Sequence, residues 1–335
     1  MKHLFIAWVA FQRRTVSMQP HFGYELKFLS FSFRTRLLRP FEYLFKSIQT
    51  LKLFLQRKPD VIWVQLPPTP ILHLAFLYKV LFNAQVQIVA DCHNATFRKP
   101  WIHIPGTIKL LQQCDLVLVH NEWVEKSVIS NGWSSDRVSV LEDPPASIPM
   151  NNQVSPADFP HPWIIFPCSF NQDEPIENVL EAARLAPELT YILTGKTTRA
   201  KGIHNLNNAP DNVKMVGFLS EERFNSFLCH SEVVMGLTKL EGVQLSVANE
   251  AVGICKPMVL SDTKTLREIF SKGAIYVDSL KPISIAQGCR EAVLRKAEMI
   301  QEVTNLRMSR EKDWLNRASQ IENILTTHRS TGSSD

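Results

Sequence analysis

Glycine is scarce in this chain of 335 residues, which contains 12 glycines against 20 prolines. This balance disfavours a collagen-like or glycine-rich linker architecture and leaves few glycines for phosphate-binding loops. The six cysteines are scattered, with no Cys-x-x-Cys pair and no paired histidine spacing. The sequence therefore predicts neither a structural zinc site nor a disulfide framework, and it favours a reducing compartment.

Long hydrophobic runs are also missing from the sequence. The longest, residues 71–82, is interrupted by His73 and Lys79 and falls short of the ~20 residues that a membrane-spanning helix requires. Residues 4–11 are apolar like the core of a signal peptide, but they continue into Gln12-Arg13-Arg14 without a small-residue cleavage site. We interpret them as the first buried strand and predict a cytoplasmic protein.

Three common nucleotide or metal motifs are absent from the sequence. Gly195-Lys196-Thr197 looks like the end of a P-loop, but the leading glycine would have to be at Thr190. The first strand leads into Ala7-Trp8-Val9-Ala10-Phe11 instead of Gly-x-Gly-x-x-Gly, which argues against an NAD dehydrogenase. No two aspartates lie two positions apart, so the Asp-x-Asp metal clamp of some sugar transferases is missing and no metal site is predicted.

The chain has the composition of a folded protein, with 45% apolar and 21% charged residues, and its length suits two domains of roughly 150 residues. Strand-like runs alternate with helical segments, which predicts parallel sheets. The first series of predicted strands is Leu4 to Val9, Val61 to Leu66, Val86 to Ala90, Leu116 to Val119 and Val138 to Leu141. The second series is Trp163 to Pro167, Leu189 to Leu193, Val213 to Phe218, Val233 to Leu237, Met258 to Ser261 and Ile275 to Asp278.

The two series predict an α/β fold of two Rossmann-like, doubly wound domains that face each other across a cleft. An aperiodic stretch rich in Pro, Asn and Ser, residues 143–162, reads as the linker between domains 1–150 and 151–320. The C-terminal helices could pack back on the first domain, and residues 328–335 are predicted to be a flexible tail. Ligands of such sheets bind beyond the carboxyl ends of the strands.

Positive charge is concentrated in residues 1–60, where eleven Lys and Arg against three acids give +8, compared with +5 for the whole chain. Large apolar residues recur there at helical spacing between basic ones, at Phe41, Leu44, Phe45, Ile48 and Leu55. A helix of this pattern can rest on an anionic membrane surface. The alternative is that it faces its own sheet, as most amphipathic helices of α/β domains do.

The most informative segment is residues 240–262. A loop ending in Gln244-Leu245 leads into a helix whose first turn offers N–H groups to a diphosphate, with Ser246 as a cap. Asn249 and Glu250 follow on the face of that helix, where Glu250 could hold ribose hydroxyls. The segment closes with Pro257-Met258-Val259-Leu260-Ser261-Asp262.

This segment resembles the Glu-containing donor-binding signature of GT-B glycosyltransferases of the family-4-like group, including its closing strand. The resemblance implies transfer of a sugar from a nucleoside-diphosphate sugar to a hydroxyl of a glycan or lipid-linked acceptor, with no obligatory metal. No nucleic-acid partner is expected. The family spaces its two Glu residues eight apart, whereas Glu241 and Glu250 are nine apart and Asn249 stands at the expected place. Glu241 can share the site only from the loop before the helix.

A second segment, Asp91-Cys92-His93-Asn94, follows the predicted strand at residues 86–90. It resembles the Asp-x-His-Asn of the eukaryotic mannosyltransferases that extend dolichol-linked chitobiose, which are also GT-B enzymes. The likeness extends to residues 169–174, Ser-Phe-Asn-Gln-Asp-Glu, where many family-4 members instead carry a basic residue against phosphate. Asp91 or His93 is the expected base of an inverting transfer, whereas a retaining transfer would not need one.

The resemblance assigns two sets of binding residues. The expected donor-site residues are Ser169, Asn171, Gly195, Lys196, Lys239, Glu241, Gln244, Leu245, Ser246, Asn249 and Glu250. The expected acceptor-site residues, which include a set for the pyrophosphate of a lipid-linked acceptor, are Arg13, Arg14, Thr15, Asn94, His120 and Asn121. We expect the protein to act in polysaccharide or glycolipid synthesis, at the inner face of a membrane. The rival functions are a nucleotide-sugar isomerase or phosphorylase, and a catalytically silent nucleotide-sugar binding subunit.

Overall fold

The computed structural model describes residues 1–31, 33, 35, 38–148 and 156–331. The chain divides into two compact units, Met1–Pro144 with Asp313–Asp335 (unit 1) and Pro145–Lys312 (unit 2). Each unit is built on one parallel sheet of six strands with flanking helices. The predicted α/β class, with two doubly wound parallel sheets, is confirmed.

The sheet of unit 1 has the strand order β2-β1-β3-β4-β5-β6. Its inner strands β3, β4 and β5 are buried along their whole length, as expected where helices cover both faces of a parallel sheet. The elements are β1 (His3–Ala7), α1 (Arg13–Phe22), β2 (Glu25–Phe28), α2 (Arg39–Arg57), β3 (Val61–Leu66), α3 (Pro70–Leu81), β4 (Gln87–Cys92), α4 (Thr107–Gln113), β5 (Leu116–Val119), α5 (Glu122–Ser130) and β6 (Val138–Val140).

The sheet of unit 2 has the strand order β12-β11-β10-β7-β8-β9. The elements are β7 (Trp163–Pro167), α6 (Ile176–Leu185), β8 (Thr190–Thr194), β9 (Val213–Gly217), α7 (Glu221–His230), β10 (Val233–Gly236), α8 (Ser246–Gly253), β11 (Met258–Ser261), α9 (Lys264–Ile269), β12 (Ala274–Val277), α10 (Pro282–Leu294) and α11 (Lys296–Thr331).

The last helix, α11, begins in unit 2 and ends in unit 1. In unit 1 its Trp314 packs against Phe22 of α1, with ring centroids 6.1 Å apart, and Gln87 Nε2 donates to the Leu325 carbonyl at 2.9 Å. The helix continues to Thr331, which corrects the expectation of a flexible tail over 328–331. Residues 332–335, the rest of that predicted tail, and residues 149–155 of the predicted linker lie outside the described residues.

The described helices include none that is both long enough and apolar enough to cross a bilayer.

Candidate functional site

Four polar side chains of unit 1 meet at the carboxyl edge of its sheet. Asp91 lies near the end of β4, His120 directly follows β5, and Asp143 lies three residues beyond β6. Arg14 reaches them from the first turn of α1. Arg14 is 3% exposed and Asp91 is fully buried, so this is a charged cluster within the protein interior.

Arg14 holds both acids of this cluster. Its Nε and one terminal nitrogen donate to Asp91 Oδ1 at 3.1 and 3.0 Å, and the other terminal nitrogen donates to Asp143 Oδ1 at 2.8 Å. Burial by itself would raise the pKa of each acid, but the Arg14 guanidinium together with His120 and His93 outweighs burial and lowers the pKa of both. Both carboxylates are therefore ionised, and they share the single fixed charge of Arg14.

This geometry corrects two expectations. Arg14 was expected to bind an acceptor pyrophosphate, but its guanidinium is buried and its donors are directed at Asp91 and Asp143. Asp91 was expected as a catalytic base, but it is out of reach of solvent and its lowered pKa makes it a poor proton acceptor. The structure instead places both residues in a buried ion pair.

His93 is partly exposed, as are Gln12 and Asp143 beside it. Its ring lies edge-on to His120, with centroids 4.3 Å apart, and Gln12 Nε2 lies 3.2 Å from His93 Nε2. Burial, together with His120, lowers the pKa of His93 to about 3, so the imidazole is neutral at pH 7. This low pKa makes His93 a weak proton acceptor in the free protein, but its ring is partly exposed, unlike Asp91, and the Asp91 and Asp143 carboxylates would favour its charged form.

Asp91, His93 and His120 also bring polar atoms within 4.8 Å of one another, a spacing that could hold a metal ion. The donor set does not fit that role well. Both oxygens of Asp91 lie within 3.3 Å of the Arg14 guanidinium, whose charge opposes a second cation. We therefore assign no metal to this cluster.

The other residues predicted for the acceptor site differ in how exposed they are. Thr15 is fully buried, with its hydroxyl 3.5 Å from Gln65 Oε1, and Asn121 is 3% exposed and caps α5 by accepting from the Val124 N–H at 3.0 Å. Their roles are corrected to packing and helix capping. His120 is 6% exposed and lies behind His93. Arg13 and Asn94 are partly exposed near the same edge, and their acceptor role stays a prediction.

Sequence reasoning missed Gln12 and Asp143. The rule that selected Asp91, that polar residues after a strand lie at the carboxyl edge, also applies to Asp143 after β6. It was overlooked because residues 143–162 were interpreted as a linker. Gln12 immediately precedes the selected Arg13 but lacks charge, and only its distance to His93 distinguishes it.

In unit 2, the start of α8 lies at the end of β10. A Cβ on Gly236 would lie 3.1 Å from side-chain atoms of both Leu245 and Val247, so the helix start packs directly on this strand end. Ser246 was expected to cap the helix. It is instead the first helical residue and is exposed, while the capping position, Leu245, provides no side-chain hydrogen bond. The first-turn N–H groups are thus left for an anion.

Gln244 stands just before this helix start. Both polar atoms of its side-chain amide are inaccessible, and neither has a hydrogen-bond partner among the described residues. A buried amide without partners costs free energy, so such a group is often completed by a ligand. The Gln244 amide thus stands beside a helix start without a side-chain cap, and the donor-site role of both stays a prediction.

The other donor-site side chains expected near this helix start, Glu241, Asn249 and Glu250, are buried or already accept hydrogen bonds from the protein. Glu241 accepts from the backbone N–H of Lys264 at 3.0 Å and of Thr265 at 2.9 Å, and so caps α9. Burial would raise the pKa of Glu241, but these hydrogen bonds lower it to about 2. Asn249 is buried and its Oδ1 accepts from Arg310 at 2.7 Å, whereas its Nδ2 has no hydrogen-bond partner among the described residues, so its donor-site role stays a prediction. Glu250 is 7% exposed, so a ribose could reach only a small part of it.

Cationic groups lie around the loop that follows β7. Arg199 donates to Asn171 Oδ1 at 3.1 Å, and Lys239 Nζ donates to the Gln172 carbonyl at 3.1 Å. Lys196 lies over the Phe218 ring, 5.0 Å from its centroid. Arg199, which the sequence did not single out, thus brings positive charge to the loop that lacks a basic residue of its own.

The same loop is held by backbone geometry. Ser169 and Asn171 donate their N–H groups to the Glu174 carboxylate at 2.9 and 2.8 Å. Gly195, at the end of β8, has a φ of 112°, and a Cβ there would overlap the Cys168 carbonyl. Only glycine fits this close approach between the ends of β7 and β8.

Comparison with known proteins shows the fold. No protein-family model and no curated protein matches the sequence. Anabaena HepE in complex with UDP and glucose matches with a TM-score of 0.69 at 14% identity, over 97% of this chain and 99% of that chain. Sucrose-phosphate synthase from Thermosynechococcus elongatus matches with a TM-score of 0.71 at 12% identity, over 99% of this chain and 100% of that chain. A glycosyltransferase from Rickettsia africae matches with 0.65 at 12% identity, over 100% of both. At these identities the likeness establishes the GT-B fold class.

Proposed function

We propose that this protein is a glycosyltransferase, which moves a sugar from a nucleoside-diphosphate sugar to a hydroxyl of a glycan or lipid-linked acceptor. The observation that carries the proposal is the uncapped start of α8 beside the unpartnered amide of Gln244. It lies in a chain whose fold matches, over almost its whole length, a structure that binds UDP and glucose.

Unit 2 is assigned the donor. The N–H groups of Ser246 and Val247 would bind the diphosphate, because a helix start carries unpaired donors and a partial positive charge. Gln244 would complete its hydrogen bonds on the same ligand. Arg199 and Lys239 would balance the charge that develops on the leaving diphosphate. This arrangement supplies the electrostatic stabilisation through the chain's own groups.

Unit 1 is assigned the acceptor. In an inverting transfer the acceptor oxygen bonds to the anomeric carbon, the bond from that carbon to the diphosphate oxygen breaks, and His93 takes the hydroxyl proton. The pair formed by Arg14 and Asp91 would fix the position of His120 and His93 during this step. A retaining transfer would use the same binding groups without His93 as a base.

The finer features of the proposal are a hexose as the transferred sugar, a polysaccharide or glycolipid as the product, and an anionic membrane as the place of work. UDP-glucose is the first donor to test, since HepE also binds UDP-glucose. The density of positive charge in residues 1–60 supports the membrane surface.

The test has two stages. UDP- and GDP-sugars are screened by thermal shift, because a ligand that binds only the folded state raises its melting temperature. The stabilising donor is then incubated with a synthetic alkyl diphosphate sugar, a free oligosaccharide or neither acceptor. Acceptor-dependent release of nucleoside diphosphate supports the proposal. Interconversion of the donor without an acceptor identifies an isomerase, binding without any turnover identifies a silent subunit, and failure to bind every nucleotide sugar overturns the proposal.

A further inference from the structure

We infer that the outer face of α2, together with Phe31 and Phe33 before it, docks on an anionic lipid bilayer. This inference extends the proposed function, in which the acceptor is reached at a membrane, by assigning the contact surface. Its test needs no turnover.

The apolar stripe of α2 faces outward. The side chains of the stripe are 43–59% exposed and recur every three or four residues, with Lys52 in the one gap between them. They are Phe41, Leu44, Phe45, Ile48 and Leu55. The inward side carries Phe54, with Tyr43, Leu51 and Leu53 packed partly buried against the same core. Lys46 is buried beside Glu42 at 2.7 Å, and the Thr50 hydroxyl accepts from Trp8 Nε1 at 3.0 Å. The helix is therefore apolar on its inward side, as is usual, and carries a second apolar stripe that faces outward.

Aromatic residues before the helix extend the same surface. Phe31 lies with its ring centroid 5.0 Å from that of Phe45 and 4.8 Å from that of Phe33. Phe31 and Phe33 are both exposed. Single exposed apolar residues are normal on a protein, but a contiguous group of this kind marks an interaction surface. We call Phe31, Phe33 and the α2 stripe the docking face.

The docking face starts on the same side of the unit 1 sheet as the carboxyl edge that carries His93. A helix that follows a parallel strand starts at the carboxyl edge of the sheet, and α2 follows β2. Its first turns, with Phe41 and Leu44, are therefore near this edge. A bilayer against the docking face would place the headgroup of a lipid-linked acceptor on the side of unit 1 where the acceptor residues lie.

Charge favours a bilayer over a second copy of this chain. Arg39, Lys52 and Lys58 are exposed on or beside α2, Arg57 pairs with Glu25 at 3.0 Å, and the acid Glu42 of the helix pairs with Lys46. Two copies that met through this face would bring like charges together. Anionic headgroups are complementary to it, and the apolar side chains can enter the region between headgroups and acyl chains.

The experiment is co-sedimentation of the full chain with vesicles of phosphatidylcholine alone or mixed with phosphatidylglycerol. We expect binding to the mixed vesicles that weakens at high salt. The double variant Leu44→Glu with Ile48→Glu should lower this binding by roughly tenfold or more, because it removes apolar contact and adds negative charge. Both side chains are exposed, so the variant should fold, which circular dichroism checks. The control is Leu294→Glu on α10, where the native side chain is 87% exposed in unit 2.

Several results would overturn the inference. These are no binding to mixed vesicles, equal binding to both vesicle types at every salt concentration, or the same loss in the Leu294→Glu control. A concentration-dependent dimer that the double variant abolishes, without vesicle binding, would assign the face to a second copy. UDP affinity is measured on the same samples. Vesicle binding without UDP binding would count against the proposed function alone, and the reverse result against the docking face alone.

Discussion

The two units present polar groups at their carboxyl edges in opposite ways. In unit 1, Arg14, Asp91 and Asp143 satisfy one another inside the protein, and both acids are held ionised by the arginine. In unit 2, the start of α8 has no side-chain cap and the Gln244 amide has no partner among the described residues. The first arrangement is complete without a ligand, whereas the second would be completed by one.

The difference teaches what each edge is built to do. A charge network fixed before substrate arrives keeps a proton acceptor in one position and costs no reorganisation during reaction. An edge with unmet hydrogen bonds gives up stability in the free protein and recovers it when an anion binds. The predictions below separate these two behaviours, starting with the largest expected effect.

Removal of Arg14 should be the most costly change in unit 1. Arg14→Met leaves the Asp91 carboxylate buried without its partner, and breaking a buried pair typically costs ~3–5 kcal/mol of the free energy of unfolding. Urea denaturation followed by circular dichroism measures this. Arg267→Ala, which breaks an exposed pair with Asp262, is the matched control and should cost less than ~1 kcal/mol. Equal losses in the two variants would contradict the interior charge network.

His93→Gln should lower acceptor-dependent turnover by roughly 10²–10⁴-fold, the usual contribution of a general base. The affinity for UDP, measured by calorimetry, should stay unchanged because the proposed donor site lies in unit 2. His103→Gln, at an exposed position in the same unit, is the control and should leave both quantities unchanged. If His93→Gln retained full turnover, His93 would not be the base, and a retaining course would become the better description.

The stability of the free protein should depend on the protonation of His93. Its pKa is about 3 in the folded protein and 6.5 in the unfolded chain, so between these values the unfolded state binds more protons. The free energy of unfolding is therefore unaffected by the protonation of His93 above pH 6.5. It falls as the pH is lowered below 6.5, with a slope of at most ~1.4 kcal/mol per pH unit.

Denaturation of the wild type and of His93→Gln at several pH values tests this sign. The wild type should lose stability relative to the variant as the pH falls from 6.5 towards 4. Asp91 and Asp143 also stabilise the folded protein, because their pKa values are lower in the folded than in the unfolded state. This stabilisation should be lost only when the pH falls below about 4, the pKa of aspartate in the unfolded chain. A constant difference between the two proteins across this range would contradict the buried, neutral state of His93.

Gln244→Leu should produce the smallest and most specific effect, with opposite signs in two measurements. The free protein should gain about 1 kcal/mol, because an unpartnered amide is replaced by an apolar group of similar size. UDP affinity should fall by roughly threefold to tenfold, the worth of one hydrogen bond. Gln287→Leu on α10, where the native side chain is exposed, should change neither quantity. A loss of stability without change in UDP binding would make Gln244 a structural residue.

The fold could be predicted from the sequence to a large extent, because buried parallel strands are continuous apolar runs. The runs at residues 61–66, 116–119 and 163–167 were predicted with the bounds that the structure has. The edge strand β2, Glu-Leu-Lys-Phe, was missed because it is only half-buried and half of its residues are charged. That polar residues after these strands lie at the carboxyl edge of the sheet then followed from the rules of doubly wound folds.

The roles of individual site residues could not be predicted in the same way. The sequence identified Arg14 and Asp91 as polar residues at one edge, but not that they bind each other across 77 positions. Glu241 was placed beside the donor helix, yet its carboxylate caps a helix that starts more than twenty residues later. For α2, the spacing of apolar residues defined a stripe but not whether it faces the sheet or solvent. Partner choice and burial are decided by packing between distant segments, which periodicity does not encode.

The most direct test of the central claim, that unit 2 binds a nucleoside diphosphate at the start of α8, is an amide NMR titration of the protein with UDP. We predict the largest shift changes at the N–H groups of Ser246 and Val247, with smaller changes around Asn171 and Gly195 and none in β3 to β5 of unit 1. Shift changes confined to unit 1, or none at saturating UDP, would contradict the account.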